Sequence, residues 1–356
     1  MAHLFKQPHN ENKGIIVLTH QEIGYIVSDQ RTHSMVSELK NNYFIGVHYG
    51  GFSYGANPYF CDFYMGRRSV TDIWKNYPNT FEIPLASGNF TSSVFTPQTE
   101  YKKYWDIINV SRNGNVKELR SFFETIRKLY DLGKNYNVLL VCASREEETE
   151  QDHFIDIANV YYEMFNSKER DMFTLMRLGK DLEFKGLSKK QLSFFYQSSK
   201  VSTLFSRCEG FPGVIPESLL CGVPVVIWKN QQGSGKDFLN EKNSVMFDHY
   251  DEAHLALIEA VESYDSFDMD MDSIKNDLSS DNSLVKLKTY FTALYNNSGM
   301  VFDGELINCD DLVSRLPAHY TDLPWVDSRH GNGHVKTYEN FNKFYQELLI
   351  LEKINE

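Results

Sequence analysis

The segment Glu209-Gly-Phe-Pro-Gly-Val-Ile-Pro-Glu217, followed by Ser-Leu-Leu-Cys-Gly-Val-Pro-Val-Val, most constrains what this chain can fold into. Upstream, Val201-Ser-Thr-Leu-Phe205 reads as a short buried strand, and Gly210 and Gly213 let the backbone turn tightly into a helix that starts near Val214. Pro216 suits the first turn of that helix, because its missing N–H is one that has no intrahelical partner there. Gly222 and Pro224 stop the helix, and residues 223–228 supply the next apolar strand. A Gly-rich loop feeding a helix N-terminus presents unpaired N–H groups and the positive end of the helix dipole, which suits a phosphate. The two carboxylates cannot serve the phosphate. Carboxylates accept hydrogen bonds from hydroxyls, and two of them flanking a phosphate cradle fit the sugar and the ribose of a sugar nucleotide. The plain alternative is a βαβ crossover whose acids are a solvated cap and a first-turn charge. The rest of the chain separates the two.

At 356 residues the chain is long enough for two domains with their own cores, and 42% hydrophobic content is that of a globular protein. The longest apolar runs, residues 138–143 and 223–228, fall far short of the roughly 20 residues a membrane-spanning helix needs. No charged-then-apolar leader opens the sequence, so a cytosolic location is expected. Five cysteines, Cys61, Cys142, Cys208, Cys221 and Cys309, are odd in number and lack metal-type spacing, which argues for reduced core residues. A formal net charge of -12 disfavours broad, salt-dependent nucleic-acid binding, although Arg67-Arg68 leaves a local basic patch open. Much of the acidity sits in residues 262–281, read as a solvated helix end or linker. Its alternating acids lack the Gly and terminal Glu of a calcium loop.

From residue 106 to about 261 strands and helices alternate with short Gly-punctuated connections, as a doubly wound parallel domain requires. Residues 106–110 and 137–142 read as strands. Residues 116–132 read as a helix with Leu119, Phe122, Phe123, Ile126 and Tyr130 on its apolar stripe, ended by Gly133. Residues 154–165 and Lys189–Gln197 read as helices, with a strand at 182–184 between them. Residues 1 to about 96 form a different unit with strand-like runs at Gly14–Thr19 and Tyr43–His48, and a helix is expected over 338–353.

These landmarks resemble, in order, the nucleotide-sugar-binding half of the retaining GT-B glycosyltransferases of the large family-four group. Phe95-Thr-Pro97 resembles the family's inter-domain crossing, and Ile107-Ile-Asn-Val-Ser-Arg112-Asn-Gly-Asn-Val-Lys117 resembles its strand followed by Arg-x4-Lys. Phe184-Lys-Gly186 with residues 192–196 resembles its turn and tyrosine-bearing helix, and Glu209 to Val226 its Glu-x7-Glu signature. The resemblance implies an α/β GT-B fold, with two Rossmann-like domains facing a cleft and the N-terminal one reduced. The implied division is an acceptor-side domain over 1–96, a nucleotide-sugar-binding domain over 97–265, and C-terminal helices over 266–356 that cross back to the first domain. Ile45-Gly-Val-His48-Tyr-Gly-Gly51 resembles the family's strand whose terminal His reaches the donor sugar, and the turn bearing His20 and Glu22 its acceptor-side turn. The family's first strands and its N-terminal Gly-rich loop have no counterpart here. Either residues 300–356 complete this reduced domain or a partner chain does.

Arg112 and Lys117 lie just beyond a strand's C-terminal end, where ligands bind in open α/β sheets, and two fixed cations there can hold a diphosphate leaving group. In isolation they read as a surface arginine and a helix-start lysine; a lysine opposes the dipole at that end. By the resemblance, Glu217 accepts from the ribose, Glu209 contacts the donor sugar, and Gly210, Phe211, Pro212, Gly213, Val214 and Ile215 form the backbone cradle. Pro212 has no N–H, which shifts the usual donor to Gly213. Lys185 and Leu187 fall where the family contacts the nucleobase. The implied activity is transfer of a hexosyl or pentosyl group, with retention, from a nucleoside diphosphate sugar, UDP-linked rather than GDP-linked, to an acceptor hydroxyl. Neither metal nor cofactor is implied. The acceptor, a glycan, lipid carrier, protein or modified nucleic acid, is not encoded legibly. The alternative is a non-catalytic sugar-nucleotide-binding subunit that needs a partner. Gly233-Ser-Gly-Lys236 lacks the spacing of a phosphate loop, and Gly331 and Gly333 argue against a helix-borne zinc pair at His330 and His334.

Overall fold

The computed structural model describes residues 3–19, 23, 26–27, 29–48, 60–66, 80–98, 100–143, 156–179, 186–210, 212–306, 342 and 345–346. The chain divides into two compact units, one formed by residues 1–92 and 277–356 and the other by residues 93–276.

The first unit holds β1 (His3–Lys6), β2 (Gly14–Thr19), β3 (Tyr43–His48), β4 (Phe63–Met65) and β5 (Phe81–Ile83) in a sheet of that same order. β2 to β5 run parallel, and β1 lies antiparallel on the β2 edge. The strand bounds expected at Gly14–Thr19 and Tyr43–His48 coincide with β2 and β3, both of them nearly continuous apolar runs, as strands of a parallel sheet require. Their core is closed by the helix Ser280–Asn297, which delivers Leu287, Phe291, Leu294 and Tyr295 against Phe5, Phe44 and Phe63.

The second unit holds β6 (Trp105–Arg112), β7 (Val138–Ala143), β8 (Phe173–Leu178), β9 (Ser199–Leu204), β10 (Cys208–Glu209), β11 (Val225–Trp228), β12 (Gln232–Gly233) and β13 (Ser244–Phe247). Six of these make an all-parallel sheet in the order β8-β7-β6-β9-β11-β13. Numbered one to six within the unit, that order is 3-2-1-4-5-6, the doubly wound arrangement of dinucleotide-binding sheets. The helix Leu119–Asp131 buries Leu119, Phe122, Phe123, Ile126 and Tyr130 on its expected stripe, adding Leu129. Gly133 at φ 74° turns the chain out of it while Lys134 N donates to the Leu129 carbonyl at 2.9 Å. Each of these fully buried phenylalanines contributes about 1.5–3 kcal/mol of transfer free energy. Within the acidic stretch, read as a solvated helix end or linker, Met271–Leu278 forms a helix.

Candidate functional site

In a doubly wound sheet the strand order reverses once, and ligands bind beyond the carboxyl ends of the strands at that reversal. Here it falls between β6 and β9. β6 ends on Arg112 and the chain leaving it carries Lys117, and the chain leaving β9 carries Glu209.

The periodicity predicts one helix over 116–132. The structure instead forms a single 3-10 turn at Asn115–Lys117, sets Glu118 at φ 50° and ψ 39°, and starts the α-helix at Leu119. A left-handed conformation costs a residue with a Cβ about 1–2 kcal/mol. The break keeps Lys117 out of the helix's first turn, where the dipole would repel its charge, and frees its side chain to reach away from the helix. Its ammonium donates to the Glu209 carboxylate, 92 positions along the chain. The two side chains are only 13% and 11% exposed, so this ion pair is largely removed from water and its attraction is far less screened than at a surface.

Glu209 is held from below by its backbone. β10 pairs in parallel with β12, Glu209 opposite Gly233. A Cβ on Gly233 would stand 1.6 Å from the Glu209 carbonyl oxygen, and φ is 102° there, so only glycine permits the approach. Ser234 Oγ donates to the Gly210 carbonyl, tying the 233–236 loop to the 209–213 loop; Lys236 Nζ turns away to the Lys229 carbonyl at 2.9 Å.

The helix Val214–Leu220 begins at the residue expected, with Ile215 N donating to the Pro212 carbonyl at 3.4 Å and Glu217 N to the Gly213 carbonyl at 3.0 Å. Ile215 is fully buried, backbone and side chain alike, and Pro216 is buried beside it. Glu217 lies in the first turn, and its carboxylate accepts a hydrogen bond at 3.3 Å from Tyr196, the last aromatic of the helix Lys189–Gln197. Tyr196 is fully buried; burial, with Glu217 beside it, pushes its phenol well above the ordinary value, so it stays protonated and donating. Sequence reasoning assigned Tyr196 no role. The available signal was a hydroxyl on the buried stripe of a helix, which demands a polar partner.

Among the remaining expected residues, Arg112 closes β6 opposite Ala143 of β7. Leu187 precedes the helix Lys189–Gln197, whose N-terminus Ser188 caps by accepting from Gln191 N at 3.2 Å. His48 ends β3, in register with Thr19 and Met65. Lys185, Phe211, His20, Glu22, Gly50, Gly51, His330 and His334 lie outside the described residues, as does most of the helix expected over 338–353. Among the described residues, no group of His, Cys, Asp or Glu side chains is arranged to hold a metal ion, and no helix is long and apolar enough to cross a membrane. Lys117 and Glu209 thus combine a cation able to meet a phosphate with a carboxylate able to accept from sugar hydroxyls.

Residues 93–276 match the family described as Glycosyl transferases group 1. The match spans 184 of the 356 residues (276 − 93 + 1), and the chain belongs to this family. No curated protein matches the sequence. Among solved structures, similar ones include sucrose-phosphate synthase from Thermosynechococcus elongatus, at 12% identity over 80% of this chain and 74% of that one, with a TM-score of 0.57. Another is the pneumococcal O-GlcNAc transferase GtfA in complex with UDP and GlcNAc, at 15% identity over 73% of this chain and 54% of that one, TM-score 0.50. A third is the GtfA/B complex, at 15% identity over 74% and 56%, TM-score 0.51. At such identities the likeness is one of fold, the α/β class with parallel sheets that was expected. The chain spans about half the length of GtfA, 54%.

Proposed function

We propose that the chain is a retaining glycosyltransferase, moving a sugar from a nucleoside diphosphate sugar to an acceptor hydroxyl. The observation that carries this reading is the shielded Lys117–Glu209 pair at the reversal point of the 3-2-1-4-5-6 sheet. In the proposed reaction the bond between the anomeric carbon and the diphosphate oxygen breaks, and the acceptor oxygen bonds to that carbon on the same face. The acceptor proton passes to the departing phosphate oxygen, so the electrons of the broken bond and the proton both end on the diphosphate. Lys117 and Arg112 offset the charge that develops there, which is the largest barrier-lowering effect available to such a site.

Glu209 accepts from the donor sugar and Glu217, held by Tyr196, from the ribose. By the family resemblance, the backbone of Gly210, Phe211, Pro212, Gly213, Val214 and Ile215 is assigned to the diphosphate, Lys185 and Leu187 to the base, and His48 to the sugar. UDP in the GtfA structure supports a uridine donor over a guanosine one. A thermal-shift panel of UDP-, GDP- and ADP-sugars identifies the donor. With it, Lys117→Ala is expected to lower transfer about 100-fold; a loss under tenfold, or ~1.4 kcal/mol of barrier, removes Lys117 from the mechanism.

The similarity to the GtfA/B complex favours one further reading, a sugar-nucleotide-binding subunit that works with a partner chain. Purified chain that binds the donor but neither hydrolyses nor transfers it until a second protein is added would establish that reading instead.

A further inference from the structure

Two residues before Glu209 stands Arg207, a residue that neither the signature nor the proposed chemistry uses. Its backbone N–H donates to the Val116 carbonyl at 2.8 Å, and its carbonyl accepts from Gln232 N at 2.8 Å. The chain at Arg207 is thereby stitched to the turn after β6 on one side and to β12 on the other. Its side chain then reaches over the same turn. Nε lies 2.6 Å from Glu118 Oε1, and Nη2 lies 3.4 Å from both the carbonyl and the side-chain oxygen of Asn115. Glu118 also accepts from Ser121 Oγ at 3.1 Å, which anchors the carboxylate to the first turn of the following helix.

The grip has a pattern. Arg207 takes hold of Asn115, Val116 and Glu118 and skips Lys117, whose ammonium is left to Glu209. Glu118, the residue in the left-handed conformation, is the one whose side chain the guanidinium holds. We propose that Arg207 is a positioning residue of the sugar-nucleotide site, a clamp that presses the Lys117 turn against the Glu209 strand; this rests on the function proposed above.

Magnitudes separate this role from a merely structural one. The guanidinium is 48% exposed and Glu118 22% exposed, so the ion pair is screened by solvent and contributes little to folding. Its effect on geometry is not limited in that way, because a cation displaced by about 1 Å from a reacting group can lose on the order of 100-fold in rate. The clamp is therefore expected to matter for ligand binding out of proportion to its effect on stability.

The test uses the full chain and, as probe, whichever of UDP, GDP and ADP binds the wild type tightest in calorimetric titration. Arg207→Ala is expected to weaken that nucleotide about 5- to 10-fold while the melting temperature moves by no more than about 2 °C. Introduced into a Lys117→Ala background, the same substitution is expected to cost no further affinity, since the clamp acts through that ammonium. Glu118→Gln keeps the shape and removes the charge; it should reproduce the loss, and it carries the test if Arg207→Ala does not fold. Equal losses in both backgrounds, or unchanged affinity in the folded variants, overturn the clamp. A wild type that binds none of the three nucleotides overturns the sugar-nucleotide reading itself, and the clamp with it.

Discussion

The unit over residues 93–276 draws its sheet, helices and core from one uninterrupted stretch, whereas the other unit joins residues 1–92 to a helix that begins at Ser280. In the uninterrupted unit a strand such as β6 is followed directly by the helix that covers it, and Ile107 shares its core with Phe122 and Ile126. In the interrupted unit, Phe291 packs edge-to-face on Phe5 and on Phe63, each at 5.5 Å between ring centres, and Tyr295 does the same with Phe44 at 5.0 Å. Those contacts bridge more than 220 positions of sequence (291 − 63 = 228). One unit is therefore assembled mainly from neighbours in the chain and the other from its far parts. The same contrast extends to chemistry: the residues of the shielded ion pair lie wholly in the uninterrupted unit.

The sharpest way to break this comparison is Phe291→Ala, which removes a fully buried ring and is expected to cost about 3–5 kcal/mol. Hydrogen exchange should show protection lost at β2 and β3 and kept at β6 and β9; equal loss in both would mean that the two units unfold as one.

A smaller effect is expected at Asp303. Its carboxylate pairs with Lys6, which is 3% exposed, at 3.1 Å, and with His9 at 3.1 Å. Partial burial works against its charge, but His9, Lys6 and Asn12 more than offset this and hold it down at about 2. A carboxyl with a folded value below its unfolded one near 3.8 stabilises fully above pH ~4 and loses that contribution as pH falls through ~2. Asp303→Asn should therefore cost about 1–3 kcal/mol near neutral pH, by leaving Lys6 under-compensated, and converge with the wild type in acid. Parallel urea titrations at pH 7 and pH 2 check the sign.

The smallest effect is expected in the uninterrupted unit. Tyr196→Phe deletes the 3.3 Å hydrogen bond to Glu217 and should weaken nucleotide binding by about 1 kcal/mol, or roughly fivefold, in calorimetry. Unchanged affinity would show that Glu217 is oriented without it.

How far the sequence could be read cuts across that division. β2, β3, Lys189–Gln197 and the start of Val214–Leu220 were legible because local signals coincide there: apolar runs, a Ser cap, and Gly213 ahead of Pro216. β8 and β13 went unread. They are the two edges of the six-stranded sheet; exposed Thr174 and Arg177 interrupt the apolar pattern of β8, and β13 is only four residues long. The helix Ser280–Asn297 lies inside the span 266–356 where C-terminal helices were expected, but its bounds had no local signal. It follows an acidic stretch that reads as solvated, and its buried side belongs to strands far away in sequence.

At the site, motif spacing named Lys117 and Glu209 separately. The ion pair between them, the left-handed Glu118 that interrupts the expected helix, and the grip of Arg207 arise only when the β6 and β9 ends meet in space. Such effects have no local signature, because tertiary charge pairing overrides the helical propensity of the turn.

The interrupted core also sets an order of events during synthesis. By the time residue 276 is made, every residue of the uninterrupted unit is present, while β2 and β3 still lack the covering helix. At about 5–20 residues per second, the interval between the completion of β3 and the arrival of Phe291 is on the order of 10–50 s. For that time two of the most apolar strands in the protein must remain soluble on the nascent chain, so the half without the shielded ion pair carries the greater demand on chaperones.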